Sequence, residues 1–400
     1  MEIGDAVTLT NWWPGTNSVV LRYGYTKFAT GITGQVESVI AYSGVTANKL
    51  FAAATTKIYN ITAGGAVGAA DVSSLTNARW QYINMRTSSS YLMMVNGADK
   101  LRFYDGTNWA KDGDGGGYDI TNVDTATCSN ITLFKNRVWL IQDGSLKSWY
   151  LPINSIAGAA VALDMSSLVQ MGGYLVAAMT WTLDAGYGMD DYLVFITSNG
   201  ETLVWRLTDP TTPTGISLIG IYQLGAPIGK RCWVKYGGDL LIITQDGVVP
   251  MSGALQSSRL DPRVSITNKI QYAMSQSISA YSTNFGWDML YFPKENQLIL
   301  NVPISEGSQQ QQYVMNNITK SWCNFTGWDA NCWALYQDDP YFGGNGFVGL
   351  AWNGTVDDTS DITSFWAAIF SNVWAGQSKA VSNDPLPFVY RRLSIGIWQC

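Results

Sequence analysis

The chain has 400 residues, of which only 14% are charged and 13% are aromatic, including 17 Trp and 21 Tyr, and so few charges suggest a surface covered by other subunits. It contains no histidine, which excludes Ser-His-Asp and Cys-His nucleophiles, imidazole acid-base chemistry and the commonest metal-binding side chain. The net charge of −6 argues against a nucleic-acid clamp, which needs clustered Lys and Arg, but not against a passage through which DNA slides.

The cysteines also argue against a metal site. They are odd in number (Cys128, Cys232, Cys323, Cys332 and Cys400), and none forms a CxxC pair. The spacing of Cys323 and Cys332 does not match the usual zinc motifs, so we expect reduced, buried thiols and predict neither a metal nor a cofactor. No secretory signal and no membrane-spanning segment is expected, because neither a basic-then-apolar N-terminus nor a long apolar run is present.

Short apolar runs recur along the chain, and each is followed by a Gly, Asn or Asp turn and a second run. This turn chemistry and strand composition predict β-hairpins. They cover residues 49–61, 91–106, 131–151, 191–207, 239–251, 289–304 and, less regularly, 340–352.

The hairpins begin roughly 40 to 60 residues apart, which is about the length of one four-stranded propeller blade. We therefore predict an all-β fold, a β-propeller-like ring of roughly six to seven hairpin-based blades over residues 1–352. The many Trp and Tyr side chains are expected to fill the layers between adjacent blades, with the cysteines beside them. Residues 353–400 lack the hairpin pattern and are predicted to close the ring or to contact a partner, with one late strand at 389–398.

One segment departs from the β pattern. Ile266, Ile270, Met274 and Ile278 follow one another in steps of four, which predicts an amphipathic helix over about 262–281, after Asp261 and Pro262. Its apolar face is expected to pack on the outside of the ring or on a neighbouring subunit. The run QQQQ at 309–312 is predicted to be a polar loop tip.

Acidic residues offer the first candidates for chemistry. Adjacent aspartates at 190/191, 338/339 and 357/358 could supply the paired carboxylates of a glycosidase, but neighbouring residues point to opposite sides, so turn or loop roles are favoured. The glycine-rich run DGDGGGYD places Asp112, Asp114 and Asp119 where carboxylates could hold calcium, although it lacks the Glu of an EF-hand. No catalytic set is predicted.

The densest positive charge lies in GKRCWVKYGG, residues 229–238. Lys230, Arg231 and Lys235 alternate there with Trp233, a pattern that would suit nucleic-acid stacking. Three charges are too few for a binding site on their own, so these four residues are predicted instead to contact the acidic loops of a neighbouring subunit.

The order of several segments, among them DYLVFITSNGETLVW, IGKRCWVKYGGDLLIITQDGVVPMS and DDPYFGGNGFVGLAW, resembles the tail hub or nozzle proteins of short-tailed bacteriophages and related prophages. The resemblance covers roughly residues 8–352. It implies a propeller subunit without catalytic residues that assembles as a sixfold ring below the portal and adaptor, meets tail-fibre or tail-tip proteins, and retains DNA until ejection. It also implies location in the virion tail, with assembly in the host cytoplasm.

A negative channel would repel phosphates and ease DNA passage, and Asp112, Asp114 and Asp119 are the predicted lining. Two other functions stay open. A carbohydrate-binding or glycosidase-type propeller would place Trp faces and carboxylates at its mouth, whereas a structural subunit would bury them. A receptor-binding surface at the tail tip would share the fold and differ in which loops face outward.

Overall fold

Short β-strands joined by tight turns make up most of the protein, in a computed structural model that describes residues 6–184, 189–254, 264–368 and 393–394. Two-residue turns set the hairpin geometry. Lys135 and Asn136 have φ values of 46° and 56°, and Gln337 and Asp338 have φ values of 53° and 64°. Positive φ at both central residues is what a type I′ turn requires, and its twist matches that of the strands it joins.

The strands follow in chain order. Those before residue 112 are β1 (Ala6–Thr10), β2 (Trp12–Pro14), β3 (Ser18–Leu21), β4 (Tyr25–Tyr42), β5 (Lys49–Ala54), β6 (Lys57–Asn60), β7 (Gly65–Ala66), β8 (Gln81–Arg86), β9 (Ser90–Val95), β10 (Arg102–Tyr104) and β11 (Trp109–Lys111). The next are β12 (Ile120–Thr121), β13 (Cys128–Phe134), β14 (Arg137–Gln142), β15 (Lys147–Tyr150), β16 (Gly158–Ala159), β17 (Val161–Asp164), β18 (Leu175–Asp184), β19 (Met189–Thr197), β20 (Glu201–Leu207) and β21 (Ile216–Gln223).

The later strands are β22 (Trp233–Tyr236), β23 (Asp239–Thr244), β24 (Gly247–Pro250), β25 (Asp288–Phe292), β26 (Gln297–Ser305), β27 (Gln309–Asn316), β28 (Trp322–Thr326), β29 (Trp333–Tyr336), β30 (Asp339–Gly343), β31 (Asn345–Ala351), β32 (Phe365–Ala368) and β33 (Leu393–Ser394). The helices are α1 (Met251–Ala254) and α2 (Gln271–Tyr281). Short 3-10 turns cover Thr125–Thr127, Pro213–Gly215, Asn268–Ile270 and Pro293–Glu295.

These strands form seven antiparallel blades. Blade 1 contains the second half of β4 with β5 and β6; blade 2 contains β8 to β11; blade 3 contains β13, β14, β15 and β17. Blade 4 contains β18 to β21, blade 5 contains β22 to β24, blade 6 contains β25 to β28, and blade 7 contains β29 to β31 with the first half of β4. Each blade contacts the next, and blade 7 contacts blade 1, so the blades close into a ring. The predicted β-propeller is confirmed, and each predicted hairpin belongs to a different blade.

The ring is closed by one 18-residue strand, β4. Its first part pairs with β31 of blade 7, where Ala29 lies opposite Val348, and its second part pairs with β5 of blade 1. Gly31 and Gly34, with φ values of 79° and 85°, lie at the register shift near the end of the first part and allow the strand to change sheets. Within the described residues, closure therefore comes from strand β4, and the predicted role of residues 353–400, closing the ring or contacting a partner, stays a prediction.

Apolar side chains fill the layers between blades. Separate clusters lie between blades 1 and 2, 2 and 3, 3 and 4, 6 and 7, and 7 and 1, and a larger cluster joins blades 4, 5 and 6 with α2. Trp80, Trp139, Trp181 and Trp328 are each at most 2% exposed in these layers. Burying each such side chain stabilises the fold by roughly 1.5–3 kcal/mol or more. The predicted aromatic layers between blades are confirmed, and they form the core.

Of the N-terminal strands, β1 extends blade 6, whereas β2 and β3 form a small separate sheet with β33. Strand β1 pairs in parallel with β28, and β32, after the propeller, pairs with the other edge of β1. Arg22 locks this arrangement, because its buried guanidinium bonds to both carboxylate oxygens of Asp357 at 2.8 and 2.6 Å. Of the strand predicted at 389–398, only β33 lies within the described residues, where it pairs with β3.

Two sequence predictions were wrong in detail. The helix begins at Gln271, not near 262; residues 265–267 form bends and turns, and 255–263 fall outside the described residues. The run QQQQ opens strand β27 instead of forming a loop tip, and Gln310 and Gln312 are buried. The apolar face of the helix is confirmed, since Met274 and Ile278 are buried against blades 4 to 6.

Candidate functional site

The two charged segments singled out in the sequence lie on the same face of the ring. Residues 112–127 lead from the last strand of blade 2 to the first of blade 3, and residues 224–232 lead from blade 4 to blade 5. In a ring of four-stranded antiparallel blades, all such connectors leave on one face. This face is therefore the candidate functional surface.

Asp112 does not belong to an acidic lining. It is 5% exposed, and its carboxylate accepts hydrogen bonds from the Ile120 amide at 2.8 Å and the Thr125 hydroxyl at 2.6 Å. The Lys100 ammonium lies 3.6 Å from the same carboxylate. Asp112 therefore anchors the connector between blades 2 and 3, which corrects its assignment as a channel-lining residue.

Asp114 and Asp119 are exposed, as the lining hypothesis requires. Each accepts a hydrogen bond from a backbone amide of its own loop, Asp114 from Lys111 at 3.0 Å and Asp119 from Gly115 at 3.2 Å. Among the described residues, no three His, Cys, Asp or Glu side chains are placed to share a metal ion. With Asp112 buried, only Asp114 and Asp119 remain candidates for lining a channel.

The basic segment, residues 229–238, also contains both exposed and half-buried side chains. Lys230 is exposed and its ammonium lies 3.1 Å from the Asp143 carboxylate of blade 3, while Lys235 is also exposed. Arg231 and Trp233 are half-buried within their own chain, Trp233 against the cluster of blades 4 to 6. The predicted subunit contact therefore remains a prediction for Lys230 and Lys235, whereas Arg231 and Trp233 serve this chain.

Arg231 spans the middle of the ring. One guanidinium nitrogen donates to the Glu37 carbonyl at 2.9 Å, the Ser38 hydroxyl at 2.6 Å and the Trp80 carbonyl at 3.0 Å. These acceptors belong to blade 1 and its connector, and blades 1 and 5 are not neighbours in the ring. Residues 226, 228 and 232 stay hydrogen-bonded to the β23 side of blade 5, so it is the Arg231 side chain that reaches across the ring to blade 1.

A second arginine reinforces the crossing. Arg79 pairs with Glu37 at 3.0 Å and with Glu306 at 2.5 Å, and its guanidinium lies 4.2 Å from the ring centroid of Phe285. The Arg231 guanidinium lies 5.3 Å from the same centroid. The two guanidinium groups lie against one aromatic ring, and Arg79 also pairs with two carboxylates. These side chains bond to one another, so none of them is left free to bind a ligand.

Asp288 is an ionisable residue that the sequence analysis missed. It begins β25, is 9% exposed, and accepts hydrogen bonds from the amides of Met289 at 2.8 Å and Trp333 at 3.2 Å. Burial raises the pKa of Asp288 to about 6, although Arg231 and the two amides oppose the shift. A single aspartate at a strand start gives no sequence signal of this kind, because the shift depends on what covers it.

The paired aspartates serve structure. Asp339 pairs with Lys294 at 2.9 Å, Asp358 pairs with Lys27 at 2.9 Å, and Asp357 pairs with Arg22. Asp191 accepts a hydrogen bond from the Thr182 hydroxyl, and the side chain of Asp190 lies outside the described residues. Asp357 lines a cleft together with Asp361, which belongs to none of the predicted pairs, but the Asp357 carboxylate is held by Arg22.

The cysteines are structural in the part of the chain that the structure describes. Cys128, Cys232, Cys323 and Cys332 are buried free thiols. Burial raises the pKa of Cys128, Cys232 and Cys332 to about 12, which suppresses the reactive thiolate. Among the described helices, none has the length and apolar character needed to cross a bilayer.

No protein-family model and no curated protein matches the sequence. Solved structures resemble the fold: the extracellular domain of the putative hybrid two component system BT4673 from B. thetaiotaomicron has a TM-score of 0.51 at 11% identity, over 85% of this chain and 42% of that one. BBS1N in complex with ARL6DN has a TM-score of 0.49 at 10% identity, over 86% of this chain and 100% of that one. The likeness at these identities concerns the fold alone, and this chain spans less than half the length of the bacterial domain.

Proposed function

We propose that this chain is a structural subunit of a bacteriophage tail, in the nozzle or hub that retains packaged DNA and conducts it during ejection. The resemblance of residues 8–352 to that family supports the proposal. The observation that carries it is tryptophan burial: of the fifteen Trp residues whose side chains the structure describes, only Trp366 is exposed, at 48%. The aromatic side chains pack between blades, as expected of a structural subunit.

The crossing at Arg231 bears on how such a subunit would conduct DNA. Because Arg231 of blade 5 bonds across the ring to blade 1 and its connector, we expect a duplex to pass between several copies of the chain and not through one propeller. We therefore propose a ring of copies, sixfold by the resemblance, with exposed Asp114 and Asp119 as candidates for its lumen and Lys230 and Lys235 for its contacts. The proposed role involves no enzymatic step, lies in the virion tail, and brings the ring against portal-adaptor and tail-fibre or tail-tip proteins.

The alternative of a carbohydrate-binding or glycosidase-type propeller has less support in the form first considered. That form places tryptophan faces beside paired carboxylates at the mouth of the ring. The described tryptophans are buried or half-buried except Trp366, and the described members of the aspartate pairs near the ring mostly bond to cations of their own chain.

Electron microscopy of the native particle, averaged around the tail axis, tests the proposal. An epitope inserted after Gly68, in an exposed part of the segment between β7 and β8 and not in the proposed lumen loop, marks the subunit without contacting the core. We expect a ring of propellers below the portal, with antibody density at one place on every copy. A single propeller on a peripheral appendage, or particles that keep an intact tail without this chain, would contradict the proposal.

A further inference from the structure

A cleft opens between blades 7 and 1, on the face opposite the charged connectors. One wall is the β29–β30 hairpin of blade 7, and the other is the loop of residues 43–48 between β4 and β5 of blade 1. The cleft has a volume of about 670 Å³. Sites for small ligands have volumes of roughly 300–1,000 Å³, so the cleft has room for a small molecule.

Two tyrosines on the hairpin give the cleft its character. Tyr336 and Tyr341 lie on the same side of the hairpin, one diagonal step apart, with ring centroids 6.0 Å apart. They are 8% and 7% exposed, because their rings pack into the cluster between blades 7 and 1. Within the described residues neither hydroxyl has a hydrogen-bond partner, and neither is sealed from solvent.

Because both hydroxyls reach solvent in the cleft, water can bond to them there, and a ligand that enters the cleft can take the place of that water. Phenylalanine would fill the same apolar layer, and buried tyrosines usually find a partner for the hydroxyl. Elsewhere in this chain the hydroxyls of Tyr42, Tyr104 and Tyr150 donate to backbone carbonyls. Burial also raises the pKa of Tyr336 and Tyr341, so both phenols stay protonated and can donate.

The rest of the lining is uncharged and combines polar side chains with Gly44, Val45, Ala47 and one aromatic ring. Thr46, Asn48, Thr62 and Gln337 contribute hydroxyl and amide groups, and half-buried Phe28 contributes an aromatic ring. The Asn48 carbonyl oxygen accepts from the Gly44 amide at 3.2 Å, which holds the loop and leaves the Asn48 amide hydrogens without a partner among the described residues. No Lys, Arg, Asp or Glu lines the cleft.

We propose that this cleft binds an uncharged saccharide, with the Tyr336 and Tyr341 hydroxyls and the Asn48 and Gln337 amides bonding to sugar hydroxyls. A ligand rich in hydroxyls matches a lining of hydroxyls and amides, and the carbon face of a sugar ring fits against Phe28. A phosphate, carboxylate or ammonium would find no counter-charge in the lining, so charged ligands are disfavoured. This inference goes beyond the proposed tail role and does not depend on it.

Saturation-transfer NMR on the full chain tests the inference, with glucose, galactose, N-acetylglucosamine and maltose as neutral probes and glucuronate as the anionic one. We expect saturation transfer to at least one neutral probe and weaker transfer to glucuronate. Tyr336→Phe and Tyr341→Phe keep the rings and remove the hydroxyls, so each should raise the Kd about 2- to 10-fold. Ala47→Trp, on the exposed loop, should fill the cleft and abolish binding.

Tyr59→Phe is the matched control, since Tyr59 lies in the same apolar cluster but does not line the cleft. Its Kd should equal that of the unmodified chain. The inference fails if no neutral probe shows saturation transfer, if Ala47→Trp leaves transfer intact, if Tyr59→Phe weakens binding as much as the cleft variants, or if glucuronate binds equally well. Because the assay needs no particle, its failure would leave the tail proposal to its own test.

Discussion

Arg22 shows how a single side chain ties distant segments together. Besides its two bonds to Asp357, its guanidinium donates to the side chain of Asn11 at 2.8 Å and the backbone carbonyls of Tyr23 at 2.9 Å and Thr326 at 2.6 Å. It also lies 4.7 Å from the ring centroid of Trp328. All five N–H donors are used, which is how a fully buried cation avoids the desolvation penalty.

We expect Arg22→Met to destabilise the fold strongly. Removing one partner of a buried ion pair leaves the other charge uncompensated and lowers the free energy of unfolding by about 3–5 kcal/mol. Lys294→Met is the control, because its pair with Asp339 is exposed and such pairs contribute little. Urea denaturation measures both, and the double variant Arg22→Met/Asp357→Leu should regain part of the loss. Equal midpoints for Arg22→Met and Lys294→Met would contradict this role.

Asp288 predicts a pH dependence of stability. Its pKa is about 6 in the folded protein against an ordinary value of 3.8, so the folded state binds this proton more tightly. The contribution of Asp288 to the free energy of unfolding is fully present below pH 3.8 and is lost as the pH rises through about 6. A shift of this size corresponds to something on the order of 3 kcal/mol.

Asp288→Asn should remove that dependence. The asparagine amide resembles the protonated carboxyl, in which only one oxygen is a good acceptor, so we expect similar stability at pH 4 and an advantage for the variant that grows towards pH 7.5. Asp164→Asn is the control, because hydrogen bonds from Ser166 lower the pKa of exposed Asp164 and the sign is opposite. Denaturation at several pH values gives both slopes, and a pH-independent difference between Asp288→Asn and the unmodified chain would refute the assignment.

The sequence located the charged residues but not their partners. Asp112 and Arg231 were correctly recognised as members of an acidic and a basic segment, yet both bond within their own chain. Their acceptors and donors come from up to 194 positions away in sequence, as for Glu37 and Arg231. Composition and spacing contain no information on such pairings, which are set when blades meet around the axis.

At the scale of elements, the same limit explains the late start of α2. The Ile266 amide and the Ser265 hydroxyl donate to the Val248 carbonyl, and the Val248 amide donates to the Thr267 hydroxyl. Residues 265–267 are thus hydrogen-bonded to strand β24 of blade 5, although the apolar periodicity predicted them to form the first turns of the helix. The apolar spacing predicted the buried face, while the tertiary contact with β24 decided where the helix begins.

Blade 5 has only three strands among the described residues, and helix α2 packs in the place of a fourth. Met274 is fully buried in the cluster of blades 4 to 6, whereas Tyr272 on the opposite side is 78% exposed. Met274→Ala should lower the free energy of unfolding by about 2–5 kcal/mol, because it leaves a cavity in a packed layer. Tyr272→Ala should change it by less than about 0.5 kcal/mol. Thermal unfolding compares the two, and similar melting temperatures would mean that α2 does not complete blade 5.

At the scale of the molecule, the hairpin rhythm predicted the blades but left their number between six and seven. The ambiguity arose because the seventh hairpin, at 340–352, is less regular, and its blade takes its fourth strand from the first half of β4, which belongs to two blades at once. A fourth strand supplied from the other end of the chain cannot be seen in a local pattern. The seven-bladed count follows only from the pairing of β4 with β31.

An engineered disulfide across that pairing tests the closure. Thr26 and Leu350 lie opposite each other in β4 and β31, and Thr26→Cys/Leu350→Cys would close a loop of about 320 residues. Lys147→Cys/Asp164→Cys, between β15 and β17 of blade 3, closes a loop of only about 17 residues and serves as the control. Cross-linking restricts the unfolded chain more when the loop is longer, so the first pair should stabilise the fold by roughly 2–3 kcal/mol more than the second.

The measurement is the melting temperature of each variant before and after reduction, with the unmodified chain oxidised in the same way as the reference for its own thiols. If β4 closes the ring, the Thr26–Leu350 cross-link forms readily and its reduction lowers the melting temperature more than reduction of the control does. If the pair does not cross-link while the control pair does, β4 is not held against β31 in solution. An equal fall in melting temperature for both cross-links would mean instead that blades 7 and 1 separate before the rest of the protein unfolds. The Thr26–Leu350 cross-link would then restrict only that local opening.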